Sequence, residues 1–486
     1  MPVFNDATIE RIFGIEDAEN ENHERLKQYF FRNKAYEALT QELPIRILVG
    51  HKGVGKSALL KMAAIEDDGR RVLNVWIKPN DLVRYMGHTE SDINRMIEVW
   101  KRAITDLIFE KTIERIGITK QEEGNAIAYS SLKALISGIR AVIVAKYGEI
   151  VDTGAKTIAS AFLKDEIIRV YIDDLDRGWK ARPQDIESIS ALLNAIRDLC
   201  GSDKKLQIRM ALRTDVYYLV RTSDESTDKI ERNIIWLTWD NHEILALVAK
   251  RIASYFGNKI SDQQLLSMRQ SDMSKEYLSK VITERFNGLG KWENAPIYRI
   301  LTSLVRRRPR DMVKLFYGGA RAAFKNEHEI ISTTDLRSNF EHYSNERLQD
   351  IQNEFATELP KISALLQGMK PTTRERQSSE SYLYTNDQLT KKLQNIMQNH
   401  SFVFANGKPI DPKSLAEFLY KIDFLIARKD NEEGKTIRYY FDQNRFLQNQ
   451  FGDFGFKWEV HPAYRWALQP GSADSIFKQL DLNSGD

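Results

Sequence analysis

A chain of 486 residues is too long for one hydrophobic core and implies roughly two to four domains. Its 71 basic and 68 acidic side chains leave a net charge of +3, too small to argue by itself for a nucleic-acid partner. The one cysteine, Cys200, excludes an intrachain disulfide framework or a thiolate zinc cluster and points to a reducing compartment, and the scattered histidines form no H-E-x-x-H site.

Met1 to Asn20 is acidic and lacks the apolar core of a secretion signal. The most apolar stretch, Ala134 to Tyr147, is interrupted by Arg140 and Lys146, so no membrane span is expected and the reading is cytoplasmic. In Glu21 to Leu43, Leu26, Tyr29, Phe30, Tyr36 and Leu39 recur near helical spacing, predicting a helix that can lie over a nucleotide base.

The apolar run Ile45 to Val49 then leads into Gly50-His51-Lys52-Gly53-Val54-Gly55-Lys56-Ser57 and a helix opening at Ala58. A strand, a G-x-x-x-x-G-K-[ST] loop and a helix in that order form a phosphate-binding loop: the chain curls round an anion with its N–H groups inward, and a Cβ at Gly50 or Gly55 would obstruct that path. Gly50, Lys52, Gly53, Val54, Gly55, Lys56, Ser57 and Ala58 are therefore the candidate nucleotide-binding residues. Lys56 would reach the β- and γ-phosphates, Ser57 would ligate Mg²⁺, and the helix start would add its positive end.

A second strand is read at Arg71 to Lys78, followed by a helical, charged insertion over about residues 88–163. Ile167 to Ile172 is an apolar strand ending in Asp173 and Asp174, with Asp176 close behind. Beside a phosphate loop, such an end would place Asp173 on Mg²⁺ and let Asp174 orient or deprotonate the attacking water. A helix over Gln184 to Leu199 precedes the strand Leu206 to Leu212, whose tip carries Arg213 and Thr214, placed between the acidic strand and the phosphate-loop strand as γ-phosphate sensors. Arg232 precedes a fifth strand, Ile234 to Trp239. Five strands alternating with helices predict an α/β fold with a parallel five-stranded P-loop sheet covered on both faces and ligands at the carboxyl ends of the strands.

Beyond Asp240 the pattern is helical: His242 to Tyr255, Gln263 to Phe286, Ile297 to Leu304 and Met312 to Phe324, with Arg306-Arg307-Arg308-Pro309-Arg310-Asp311 before the last. Arg310, near a helix start in such a lid, is the candidate for reaching back to bound phosphate. Lys370 to Ser381 reads as a polar linker. After it come a helix (Asn386 to Gln398), a short strand (Ser401 to Phe404), a helix ending at Ile422, and a hairpin of Phe424 to Arg428 with Thr436 to Phe441, an order consistent with a winged helix. Its recognition helix would carry Lys413, Glu417, Lys421 and Asp423, nearly neutral, which favours a protein contact over nucleic acid. His461 reads as a packed structural histidine. The expected domains are a P-loop ATPase domain at 1–240, a helical lid at 241–340, a helix and linker at 341–380 and a winged-helix-like domain at 381–486.

With these motifs in place, the chain resembles a bacterial group of AAA-like (ASCE) P-loop ATPases with a D-D-L-D-R acidic strand, close to the KAP and STAND NTPases. The resemblance runs from Phe13-Gly14 to His461-Pro462 and is strongest at His51 to Leu59 and Tyr171 to Trp179. It implies a regulatory ATPase using ATP and Mg²⁺, with several relatives in bacterial antiviral defence. Arg232 matches the position of a finger arginine that reaches a neighbouring subunit's γ-phosphate, and Arg310 matches a second sensor; Arg177 is the alternative finger. Asp174 stands where many AAA proteins have Glu, which implies slow or closure-dependent hydrolysis.

The expected function is an oligomeric ATP-driven switch that controls a partner effector protein, with Asp174, Arg232 and Thr214 in catalytic roles. The alternative is a DNA-binding ATPase of the origin-recognition or loader kind, using the C-terminal winged helix. The absence of a base-reading N-K-x-D favours ATP over GTP.

Overall fold

The computed structural model describes residues 3–15, 21–68, 72–78, 81, 92–115, 167–175, 179–223, 225–377, 380–405, 407, 410–430, 436–442, 456–471, 475–477 and 480–482. It divides into a sheet unit, residues 34–51 and 56–237, and a second unit formed by residues 1–33, 52–55 and 238–486.

The sheet unit holds β1 (Ile45–Val49), β2 (Val72–Ile77), β3 (Ile167–Ile172), β4 (Leu206–Leu212) and β5 (Ile234–Trp236), all parallel, in the order β2-β3-β4-β1-β5. Every residue of β4 is buried, as expected where helices cover both faces of a parallel sheet. The helices Lys56–Asp67, Pro183–Ser202 and Thr214–Ser223 follow β1, β3 and β4. Pro183 occupies the first turn of its helix, where its missing N–H costs nothing, and the Asp185 carboxylate bonds back to the Arg182 N–H. Ile189, Leu192, Leu193 and Ile196 then face the core that Ile47, Val170 and Ile208 build.

Of the expected helical insertion, Ile93–Arg115 is a helix whose Trp100, Ile104 and Leu107 join the same core; its remainder lies outside the described residues. At the amino end of the sheet Asp67, Arg169, Tyr171, Gln207 and Arg209 form a buried polar network. Arg169 pairs with Asp67 at 2.5 Å, and Arg209 donates to the Leu43 and Gln41 carbonyls, so the charges in β3 and β4 are satisfied.

In the second unit several expected elements are rearranged. The helix read over Glu21 to Leu43 is broken into His23–Tyr29 and Lys34–Thr40, and the latter belongs to the sheet unit. The helix read over Gln263 to Phe286 is instead Asp262–Ser267 and Gln270–Glu276, separated by extended Met268 and Arg269. It gives way to β6 (Arg285–Asn287), paired with β7 (Glu293–Pro296). The β-branched run Val281-Ile282-Thr283 disfavours continuing the helix, and Ile282 bridges to Ile331.

The helices Asn241–Tyr255, Ile297–Leu304, Pro309–Lys325 and Thr333–Phe355 carry the core of this unit. Lys370 to Ser381, expected as a linker, is tied down by a Glu375–Lys392 ion pair at 2.8 Å and by the Ser381 hydroxyl on the Glu375 carbonyl. At the C-terminal end β8 (Leu383–Tyr384), β9 (Leu425–Asp430), β10 (Thr436–Tyr439) and β11 (Lys457–Val460) form an antiparallel sheet ordered β10-β9-β11-β8. β8 and β11 escaped the sequence reading. Conversely, Ser401 to Phe404 is not a strand: Phe402 and Phe404 are buried and Val403 is 65% exposed, the expected alternation, but among the described residues no strand pairs with it. Among the described residues no helix is long and apolar enough to cross a membrane.

Candidate functional site

Gly50 continues the sheet, donating its N–H to the Leu212 carbonyl at 3.3 Å, before the chain leaves β1. The loop's ends, Gly50–His51 and Lys56–Ser57, belong to the sheet unit and its tip, Lys52–Gly55, to the second unit. Lys56 opens the helix Lys56–Asp67, so Ser57 and Ala58 lie in a first turn whose N–H groups have no intrahelical acceptor. The Lys56 ammonium donates to the Gly50 and His51 carbonyls at 2.8 and 3.0 Å, so its charge is held over the loop. Gly55 has φ +96°, a left-handed backbone conformation that favours glycine whatever the space around it.

The acidic strand lies on the same sheet edge. Ile172 pairs with Met210 and Leu212 with Val49, so β3 and β1 end on the same side of the sheet with β4 between them, two strand spacings or about 10 Å apart. Asp173 is 6% exposed, and its Oδ1 accepts the Asp174 N–H at 2.9 Å. Asp174 is exposed with φ 57°, a left-handed conformation that aspartate tolerates better than most residues and that concentrates at functional sites. Asp176 and Arg177 lie outside the described residues.

β4 ends between these two strands, as expected. Thr214 there is fully buried, and its hydroxyl has no hydrogen-bond partner among the described residues. Arg213 presents Nε and Nη2 to the Asp215 carboxylate at 3.0 and 2.7 Å, a bidentate pair that fixes the plane of the guanidinium. Arg232 is exposed in the last turn of a 3₁₀ helix that runs into the edge strand β5.

The loop tip is held through three successive carbonyls. Arg308 Nη1 donates to the Lys52 carbonyl at 3.2 Å, the Arg310 backbone N–H to the Gly53 carbonyl at 3.3 Å, and Trp239 Nε1 to the Val54 carbonyl at 2.8 Å. A trans peptide is planar, with its C=O and N–H pointing oppositely, so each bond turns the next N–H away from its anchor. The N–H groups of Gly53, Val54 and Gly55 therefore each point away from the donor that holds the carbonyl before them. The Arg310 N–H is available because it lies in the first turn of Pro309–Lys325, where no intrahelical acceptor exists. Gly53, at φ +84°, also lets the Arg310 side chain close in: a Cβ there would meet the Arg310 Cβ at 3.3 Å.

Of the four arginines in the 306–310 cluster, the sequence reading singled out Arg310; Arg306 and Arg308 are the buried ones. Arg306 grips Asp311 at 2.7 Å, and Arg347 joins at 3.2 Å. Burial pushes the Asp311 carboxyl up, but Arg306, Arg347 and Arg308 outweigh it and hold the group well below the usual carboxylate range. Arg308 bridges Glu354 at 3.3 Å and Asp423 at 3.1 Å, and Glu354 in turn accepts the Lys52 N–H at 3.2 Å. Burial raises the Asp423 carboxyl to about 6, against the pull of Arg308.

Trp239, Glu354, Arg308 and Asp423 were all missed as site residues. Only the Arg-Pro-Arg-Asp helix start hinted at one of them.

The expected recognition helix, Pro412–Lys421, buries Leu415, Ala416, Phe418, Leu419, Tyr420 and Lys421, leaving its first turn and Glu417 toward solvent. Lys421 pairs with Glu358 at 2.7 Å, so this face is not offered to a nucleic-acid groove. His461 is fully buried between Tyr440 and the Ala463 N–H, in keeping with a packed structural role.

The strand order, the glycine loop between β1 and its helix, and the acids at the end of β3 define a P-loop α/β fold. A model of the FunZ-associated C-terminal helical domain matches residues 242–352. The chain is 24% identical over 336 residues to a putative transposon gamma-delta 80.3 kDa protein of Escherichia coli K12, over 66% of this chain and 43% of that protein, so it spans less than half the length of this curated relative. Among solved structures it is similar to the ORC2 protein of Aeropyrum pernix in ADPNP and ADP complexes, at 10% identity and a TM-score of 0.42 over 91% of this chain and 92% of that one. It is also similar to Cdc6p of Pyrobaculum aerophilum, at 12% identity and 0.29 over 92% and 97%. A third, the RuvB Holliday junction branch migration motor of Thermotoga maritima, matches at 12% identity and 0.30 over 85% and 90%.

Proposed function

We propose that this chain is a P-loop ATPase of the AAA-like kind, an oligomeric switch that binds ATP with Mg²⁺ and couples hydrolysis to the control of a partner effector protein. The observation that carries the reading is that the loop leaves β1 and the acids leave β3 at the same, carboxyl end of the sheet, Gly50 to Lys56 following the one strand and Asp173 and Asp174 the other, with the two strands about 10 Å apart. In this reading the N–H groups of Gly53, Val54, Gly55, Lys56, Ser57 and Ala58 line the phosphates, and the Lys56 ammonium leaves its two carbonyls for them. Ser57 and Asp173 hold Mg²⁺, whose charge offsets that of the triphosphate.

Asp174, exposed beside the buried Asp173, orients the attacking water. Thr214 and Arg213 sense the γ-phosphate, Arg213 with its plane fixed by Asp215. Arg310 reaches the phosphates from the lid, and Arg232, exposed beside the edge strand, serves the site of a neighbouring subunit. The setting of bacterial antiviral defence rests on the sequence resemblance alone.

Titration calorimetry of the full chain with Mg²⁺ and ATP tests the reading. It stands if heat of binding is seen and Lys56→Ala abolishes it, and it fails if the variant binds as the parent does.

A further inference from the structure

We infer that Arg308 is a positioning residue of the nucleotide site and that the C-terminal segment controls the site through Asp423. The inference rests on the P-loop reading above and adds to it the means by which the loop tip is set.

Residue 52 is held on both sides of its backbone: its carbonyl by Arg308 and its N–H by Glu354, the two holders being themselves an ion pair. Through the planar peptide, the grip on the Lys52 carbonyl sets the direction of the Gly53 N–H. The other end of the same guanidinium is on Asp423, which follows the helix Pro412–Lys421. One side chain thus joins the phosphate loop to an element more than a hundred residues further along the chain.

The arrangement is expensive for a mere structural tie. The side chains of Arg308, Glu354 and Asp423 are 2%, 1% and 5% exposed, and buried charges seldom add stability over apolar packing. Both approaches to the contact are also strained. Arg307, which turns Arg308 inward, has φ 56°, and Asp423 has φ 58° just past a helix end, a position glycine ordinarily takes. Charge, burial and strain converge where the contact ends on phosphate-loop backbone.

The glycine preference at 423 supplies the test. Asp423→Gly relieves the backbone strain while removing the carboxylate, so it separates folding from control. Arg308→Ala, which leaves two buried carboxylates facing each other, would not. The full chain and its Asp423→Gly, Asp423→Asn, Glu354→Gln and Lys56→Ala variants are compared for the dissociation constants of Mg²⁺–ADP and of a non-hydrolysable ATP analogue, with melting temperature beside them.

Asp423→Gly is expected to stay folded, the backbone relief offsetting part of the lost ion pair, and to bind nucleotide about tenfold more weakly, the usual size of a coupling between sites. Asp423→Asn, which keeps an oxygen for Arg308 but not the charge, should recover part of the affinity, and Glu354→Gln should lose it again. If the parent binds, Lys56→Ala abolishes binding, and Asp423→Gly and Glu354→Gln bind like the parent, the inference is overturned and the P-loop reading survives. If the parent itself binds no nucleotide, the reading falls and takes the inference with it.

Discussion

The two ends of the phosphate loop and its tip are built by different means. At the ends, Gly50 is fixed by the β4 ladder and Lys56 by the start of its own helix, so short-range chemistry within the motif does the work. At the tip, Lys52, Gly53 and Val54 take their orientation from Arg308, Arg310 and Trp239, about 185 residues or more further on. A nucleotide-binding motif can therefore be complete in sequence while the direction of its N–H groups is decided elsewhere in the chain. The ends should fail outright when altered, whereas the tip should yield by degrees.

The largest expected effect is at the ends. Lys56→Ala removes the ammonium that the Gly50 and His51 carbonyls now hold, and nucleotide binding should fall below detection in calorimetry. Arg232→Ala should come next and by a different signature. The side chain is exposed and far along the chain from the loop motif, so binding is retained while phosphate release slows by about 10³-fold or more, provided subunits supply the arginine in trans. Turnover that is unchanged in Arg232→Ala, and independent of protein concentration in the parent, would move that role to another arginine, Arg177 first.

The same contrast explains what could be read beforehand. The parallel sheet, its five strands and the position of the acids were legible because buried parallel strands are unbroken apolar runs and the loop motif has fixed spacing. Thr214 stands just past the end of β4, between β1 and β3, where it was expected. What stayed hidden depends on tertiary choice. Glu354 is one carboxylate among many on a long helix until folding brings it to the Lys52 N–H. Asp423 read as part of a solvent-facing recognition surface, but packing turned that helix inward and its charge onto Arg308. The strand expected over Ser401 to Phe404 has the right alternation but no partner among the described residues, and alternation cannot reveal a missing neighbour.

Acid should loosen the tip without touching the ends. Asp423 faces Arg308, Arg306, Glu354, Tyr420, Tyr440 and Tyr464, and burial raises its carboxyl to about 6. Between its ordinary value near 4 and about 6 the folded chain binds this proton more tightly than the unfolded chain does. This group's contribution to stability therefore grows as pH falls through that window. The charge of its ion pair with Arg308 is lost over the same range, so nucleotide affinity should drop severalfold between pH 7.5 and 5.5, toward that of Asp423→Asn, while the contribution to folding moves the other way. Affinity and melting temperature measured together in the parent and in Asp423→Asn would show both trends in the former and neither in the latter. A parent whose affinity is flat across that range would show that the Asp423 contact does not reach the loop.

The smallest effect, and the sharpest probe of the tip, is Trp239→Phe. The substitution keeps an aromatic ring against Phe31, whose centroid lies 6.1 Å away, and deletes only the Nε1–H that reaches the Val54 carbonyl at 2.8 Å. A single neutral hydrogen bond is worth about 0.5–1.5 kcal/mol net, so if that bond does no more than orient the next N–H, affinity should weaken by about two- to tenfold. Because the Val54 carbonyl and the Gly55 N–H share one peptide plane, the loss should appear with ADP as well as with ATP analogues, as expected of a donor to a phosphate common to both. An equal affinity in Trp239→Phe would mean that Gly55 keeps its orientation from its own φ of +96° and the helix behind it. The tip would then resemble the ends at that residue, and outside control would be confined to Lys52 and Gly53, the two residues held from Pro309–Lys325 and its cap.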